Sequence, residues 1–483
     1  MKNSLLSVLF FCSLIFSQHY QDARMLGVSG AYTNIAEGFS CVGVNPANLS
    51  YAGTNYSVNL GSINAGFWNN ALSLELINTL NAANMVDSTS LDYYDKNRLK
   101  TIFDDSGFVL NTEFNIPIPI ISFSYKNWAI TSSSHTYTEI GMPTLLLDFI
   151  FFGNAINEKM NFELPLALQS VQETGVTYSS KFKSIHFGAT AKHILGYYYT
   201  GIDMVDSAFF MTDTSAFEGK GGFLLKQGIG GSGFGLDVGI LTEPFLDGWQ
   251  VGMSATNIFG DITWSEDSAF RVLLEESVQG VLPEDMQLRS SEYYYYYFLM
   301  DSVNATTLAS SEFDDLFNSD GYAVIKVETL DHVEGFTYDP DQVVELADSS
   351  GFLIPSKNIT DKQLESFSDK PFTTRHPSVF RNGVSRNFNN DMILAMDLST
   401  GFSSSFGSYD SWRMNLGAEI TKFKHFPVRF GIGLGGGRGA SFSMGSGVWY
   451  GPMRFDIGLE YKKGLSVNSS KGLGVGFSLS IQQ

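Results

Sequence analysis

The 483-residue chain is acidic, with 50 Asp and Glu against 30 Lys and Arg and a net charge of −20. Its length would fill two or three soluble domains, yet the long 3.6-residue periodicity of their helices is missing and only 17% of the residues are charged. Beyond the N-terminus no window approaches 18 uncharged apolar residues, which excludes helical membrane spans, while 40 Phe, 22 Tyr and 48 Gly favour curved sheet.

Residues 1–17 carry one positive charge, Lys2, and then the apolar run Leu5 to Phe16, the pattern of a secretory signal peptide cleaved near Ser17 or Gln18. That run is shorter than the roughly 20 residues a helical span needs. Cys12 lies inside it without the small preceding residue of a lipid-modified cysteine, so the mature chain is expected to keep Cys41 alone. In residues 18–51, Gly27 and Gly30 permit tight backbone beside Ala31 and Tyr32. Further on, Asn45-Pro46-Ala47-Asn48 sets a turn whose Asn side chains can bond backbone groups. On its residues alone this motif also reads as a plain turn into the first strand.

Residues 52–264 and 376–483 alternate apolar and polar positions with period two, the signature of strands. Met453, Phe455, Ile457, Leu459 and Tyr461 share one face, and Arg454, Asp456, Gly458 and Glu460 the other. About fifteen candidate strands emerge, including 117–125, 185–198, 204–216 and 232–242; because single-chain bacterial barrels have even strand numbers, about 14 are expected. Helical excursions interrupt the first part at 69–110, around Ala71 to Leu80 and Asp95 to Phe103, and at 143–165, around the apolar run Leu145 to Phe152.

Between the two parts, residues 265–375 hold 22 Asp and Glu against 7 Lys and Arg, a net of −15, and the strand pattern stops. This is expected to be an acidic inserted loop domain on the outer face, where barrel loops are long. It lacks EF-hand spacing, so solvated surface is a better reading than a calcium site. Tyr293 to Tyr297 form an aromatic run there, either locally buried or a binding face.

Alternation alone does not separate a soluble sandwich from a membrane barrel. The signal peptide, the succession of long alternating segments and the glycines on the polar face favour an all-β, antiparallel transmembrane β-barrel in a bacterial outer membrane, in contact with its lipid. On that reading Asp237, Asp397, Arg413, Glu419, Arg429, Arg454, Asp456 and Glu460 face the lumen, as a network or as solvated pore-lining charges. The run 145–152 offers Leu146, Phe149 and Phe152 as an apolar lip for a hydrophobic ligand, or as packing on the rim or in lipid.

Chemistry is mostly absent. Gly431, Gly433 and Gly436 fit a dinucleotide fingerprint on paper but lie in an alternating strand with no helix after it. There is no GxSxG elbow, and the histidines lack HExxH spacing. No catalytic residue, metal, cofactor or nucleic acid is assigned, and the chain reads as a non-enzyme. A hydrolase assembled from distant strands trails that reading.

The segment Gly27-Val28-Ser29-Gly30-Ala31-Tyr32 followed by Val44-Asn45-Pro46-Ala47-Asn48-Leu49 resembles the N-terminal signature of the FadL-type superfamily of outer-membrane barrels, which includes fatty acid transporters and PorV-like secretion proteins. Gly233 to Gly239 with Gly252 to Gly260, and Phe380 to Ser385 with Met396 to Leu398, are similar to later hairpins of the group. The resemblance covers about two thirds of the chain and leaves out 265–375. It implies a 14-stranded barrel with residues 18–51 folded inside as a plug or hatch, and uptake of a small hydrophobic molecule such as a fatty acid. The alternative it implies is a non-transporting, PorV-like barrel that binds or shuttles a secreted or surface protein.

Overall fold

The computed structural model describes residues 22–51, 53–103, 107–153, 156–214, 216–265, 291–304, 322–328, 372–388, 391–401, 410–423 and 425–483. The expected signal peptide lies outside them. The strands, in chain order, are β1 (Tyr56–Asn69), β2 (Phe108–Pro117), β3 (Phe123–Tyr125), β4 (Trp128–Met142), β5 (Lys159–Phe162), β6 (Leu166–Phe182) and β7 (Ile185–Thr212). They continue as β8 (Ala216–Thr242), β9 (Trp249–Ile258), β10 (Asp261–Trp264), β11 (Ser291–Asn304), β12 (Tyr322–Glu328) and β13 (Phe372–Arg375). The last seven are β14 (Val379–Phe388), β15 (Met392–Thr400), β16 (Arg413–Ile420), β17 (Val428–Gly435), β18 (Ser441–Tyr450), β19 (Met453–Lys462) and β20 (Gly472–Gln482).

The wall strands pair antiparallel in the order β1, β2 with β3, β4, β6, β7, β8, β9 and β14 to β20, and β20 returns to β1 from Ser57 opposite Gln482 to Trp68 opposite Gly472, closing the wall into a barrel. Fourteen staves make the wall, with β2 and β3 sharing one stave between β1 and β4. The alternation settles which side is out. Met453, Phe455 and Ile457 are 47%, 41% and 41% exposed, whereas Asp456 and Glu460 on the other face are 6% and 1% exposed. Apolar residues outside and polar ones inside are the reverse of a soluble sandwich and match a lipid-facing wall. No helix among the described residues is long and apolar enough to cross a membrane.

Three expectations are corrected. The candidate strand 117–125 is two pieces, because Pro117 and Pro119 offer no N–H to a ladder and Ile120 turns with φ 67°. The candidates 185–198 and 204–216 are one 28-residue strand, β7, and its partner β8 starts at Ala216 instead of 232. These strands run on past the wall, where neither face meets lipid and the alternation has no reason to persist. Nor does strand structure stop at 265: β11 pairs with β8 from Ser291 opposite Gly228 to Asn304 opposite Ala216, and β12 pairs with β11.

One end of the barrel has tight connections, such as Lys126 to Asn127, Lys183 to Ser184 and Gly451 to Pro452, and it also carries the C-terminus. The other end carries the long ones, 70–107, 143–165 and 259–378. At that end the helix Thr144–Phe152 and the helices Leu74–Asn81 and Asn97–Phe103 gather around a small core of Ala71, Leu99, Phe103 and Leu147.

Candidate functional site

Residues 22–51 make little regular structure. A five-residue helix, Ala23–Gly27, is capped by Asp22, whose Oδ1 accepts the Met25 N–H at 2.7 Å. A short 3₁₀ turn, Pro46–Ser50, follows Asn45, whose Oδ1 accepts the Ala47 N–H at 3.1 Å. Between them Gly30 and Gly43 take φ of 83° and 77°, which glycine adopts at little cost. Such a segment leaves many backbone groups unpaired, yet every residue from 22 to 49 except Glu37 is buried.

The wall supplies the partners. Asp397 Oδ2 accepts the N–H groups of Tyr32 and Thr33, both at 2.9 Å, and the Thr33 hydroxyl at 2.6 Å. Asn34 Nδ2 donates to the Gln250 carbonyl and Asn45 Nδ2 to the Ile240 carbonyl, each at 3.1 Å. Asn48 ties the segment to itself through the carbonyls of Thr33 and Ala36. Charge does the rest along β16–β19: Arg24 forks onto Glu419 with two 2.7 Å bonds, Arg429 bridges Glu419 at 2.6 Å and Asp456 at 2.7 Å, and Glu37 lies 3.1 Å from Arg454.

Room for this segment comes from glycines whose missing side chains point inward. A Cβ on Gly383 would sit 2.7 Å from Thr33 Cβ, on Gly417 2.8 Å from Val28 Cβ, and on Gly458 2.6 Å from the Ala23 carbonyl oxygen. Gly417 and Gly431 are ladder partners, as are Gly188 and Gly239, so these gaps continue from strand to strand. Gly431 meets Val28 and Ser29, Gly188 meets Pro46, and Gly239 meets Asn45.

The eight lumen charges fall into two groups. Asp397, Glu419, Arg429, Arg454 and Asp456 hold the segment or the charges that do. The others pair within the wall: Arg413 donates to Ser441 Oγ at 2.6 Å, Glu460 lies 3.3 Å from Lys462, and Asp237 lies 3.0 Å from Lys192. Lys192 also meets Glu173 at 2.7 Å, and Glu173 in turn bonds His376. Sequence reasoning did not single out Arg24, Glu37, Lys192, Glu173, Glu113 or Lys462. The period-two pattern already placed Lys192 on the polar face; Glu113 was hidden because β2 was not anticipated.

The C-terminal end of the segment is fastened by another chain. Ser179 Oγ donates to Ser50 Oγ at 2.7 Å, Ser50 Oγ lies 2.8 Å from His186 Nδ1, and His186 Nε2 lies 3.1 Å from Glu243. Ser50, His186 and Glu243 stand in the order of a nucleophile, a base and an orienting acid. However, the Ser50 hydroxyl is also bonded to the Ala47 carbonyl, Tyr51 covers the imidazole edge-on, and Lys181 pairs with Glu243. The arrangement serves as an anchor. Among the described residues no group of three His, Cys, Asp or Glu is placed to hold a metal.

Little open space separates the segment from the wall. A cavity of about 20 Å³, room for one water, lies between Phe39, Ser40, Val42 and Gly43 and the wall residues His135, Glu173 and Lys192, beside the break at Pro117 and Ser122. Cys41 is fully buried nearby, and burial pushes its thiol well above the usual range. At the long-loop end the three lip residues differ. Leu146 is 48% exposed, Phe149 packs edge-on against Phe210, and Phe152 lies under the ammonium groups of Lys96 and Lys100.

A family described as a family of unknown function (DUF5723) matches residues 46–319. No curated protein matches the chain. Among solved structures it is similar to the toluene transporter TbuX of Ralstonia pickettii, at 11% identity and a TM-score of 0.45 over 94% of this chain and 97% of that one. It is also similar to the toluene transporter TodX of P. putida, at 9% identity and 0.45 over 95% and 98%, and to a Pseudomonas aeruginosa FadL homologue, at 10% and 0.42 over 97% and 99%.

Proposed function

The chain belongs to the family of unknown function DUF5723, and from that premise we propose that it is an outer-membrane uptake barrel for a small hydrophobic molecule, with residues 22–51 as its hatch. The observation that carries this reading is a lipid-facing barrel whose polar lumen is filled by its own N-terminal segment, held by hydrogen bonds and ion pairs that water can replace. The segment's apolar residues, among them Met25, Leu26, Val28, Tyr32 and Val44, cluster chiefly with one another, while polar groups make most of its directed ties to the wall, which suits a part that leaves and returns as a unit. The short turns at one end fit a periplasmic side, and the long loops at the other fit an outer one. On the outer end the exposed Leu146 and Ile150, with the aromatic rings beside them, offer apolar surface to a ligand in water.

The test is uptake of radiolabelled oleate and toluene by cells carrying the mature barrel, compared with a hatch locked in place. Ser29→Cys with Ser441→Cys, in a Cys41→Ser background, puts two sulfurs within bridging reach, since the two hydroxyls they replace lie 3.2 Å apart. Uptake is expected to stop on oxidation and return with reductant. Uptake unaffected by the lock, or absent for every hydrophobic probe, would overturn the proposal. Leu146→Ser with Phe149→Ser and Phe152→Ser should lower uptake while leaving the lumen contacts intact; unchanged uptake removes the lip from the mechanism.

A further inference from the structure

We propose that the outer wall over β6, β7, β8, β9 and β14 carries a binding site for one glycerophospholipid of the periplasmic leaflet. One cross-strand row on the lipid face runs Tyr178, Ala189, Val238, Ala255, Phe380, each opposite the next in its ladder. Two alanines and a valine between two rings leave a notch, floored by Phe187, Ile240 and Met253 from the adjoining row. Its volume is about 560 Å³, and it lies open along the lipid face. On the next stretch of wall, β15 to β19, the row Met396, Leu416, Ile432, Phe442, Tyr461 has only large residues.

The occupant follows from position and charge. The notch is continuous with the lipid-facing belt, so hydrocarbon fills it. Its level, five residues along β6 from the tight turn at Lys183, puts it in the periplasmic half of the wall. A cation stands on each flank of that edge: Lys183 Nζ sits 5.4 Å over the Phe182 ring beside β6, and on β14 the Arg386 guanidinium lies 4.5 Å over Phe388 and 5.5 Å over Trp249 while its Nε donates to the Asp247 carbonyl, so the phosphate is assigned to the Arg386 flank. Interfacial rings and cations anchor the headgroup while the notch takes an acyl chain. Only one strand of backbone then separates the lipid from the hatch, because Gly188 and Gly239 meet Pro46 and Asn45 on the inner side.

This site does not depend on the uptake reading. The experiment is native mass spectrometry of the full mature protein in dodecyl maltoside, titrated with dioleoylphosphatidylglycerol. One lipid should survive activation that strips the others, with an affinity about tenfold above later ones, a difference near 1.4 kcal/mol. Ala189→Trp with Ala255→Trp should abolish that first step, Lys183→Glu with Arg386→Glu should weaken it several-fold, and Ile457→Trp on β19, across the barrel, should leave it unchanged. Graded binding with no distinct first lipid in the unaltered protein would overturn the proposal, as would equal retention by the filled variant. A lipid-free dimer of the chain would overturn it too.

Discussion

Along β16–β19 the wall meets the N-terminal segment through ions, Arg24 and Glu37 against Glu419, Arg429, Arg454 and Asp456. Along β6–β9 the contacts are neutral, Asn34 and Asn45 on carbonyls and Ser50 on Ser179, while that wall's own charges, Lys192, Glu173 and Asp237, satisfy one another, with His376 bonded to Glu173. The difference has an energetic meaning. A buried ion whose partner leaves is far costlier than an amide that exchanges a carbonyl for water. Under the uptake proposal the β6–β9 side is therefore where the segment separates first; cavities of about 20 Å³ lie on both sides, one at Phe39 to Gly43 and one beside Arg24, Glu37 and Arg454, and do not distinguish them.

The comparison is broken hardest at its ionic end. Glu419→Ala takes the shared partner from two buried guanidinium groups, leaving Arg24 only Glu37 at 3.4 Å and Arg429 only Asp456 at 2.7 Å, and should cost about 3–5 kcal/mol. It should also open Cys41 to a maleimide, because the segment loses its strongest tie. Urea unfolding in lipid vesicles and labelling rates measure the two effects, and a protected Cys41 in this variant would contradict the assignment. Lys192→Met should cost a similar 3–5 kcal/mol by leaving Glu173 and Asp237 facing each other, yet keep Cys41 protected, since the loss lies within the wall. Equal labelling of the two variants would erase the distinction between the sides.

Smaller effects sharpen it. Gly431→Leu forces a side chain into Val28 and Ser29 and should cost about 1–3 kcal/mol, with the segment displaced in preference to the ladder. The readout is Cys41 labelling with strand content unchanged by circular dichroism. Ser50→Ala removes one neutral anchor and should cost about 0.5–1.5 kcal/mol. The same variant tests the chemistry of the Ser50, His186, Glu243 chain: ester hydrolysis by the wild type that disappears in it would show a nucleophile where an anchor is described.

The C-terminal strands were legible because each crosses a lipid wall once, so lipid outside and lumen inside impose the period-two pattern residue by residue. Legibility failed where that constraint ends. β7 and β8 continue beyond the wall and lose the pattern, which split one strand into two and concealed the start of the other. β2 escaped notice because Pro117 and Pro119 close it early and a helical excursion precedes it. Alternation put these charges on the face opposite the apolar one, but their partners were not visible: Glu419 and Arg24 are 395 residues apart in the chain.

By itself, the sequence determined the strand pattern, the inward and outward faces, and the glycines that thin the lumen wall, because each follows from local residue chemistry repeated every second position. Only the tertiary structure decided which lumen charges hold the segment and which hold the wall, and that Ala189 and Ala255 form a notch instead of scattered small residues. Those outcomes depend on register between strands, and a shift of one residue would exchange every inward side chain for an outward one.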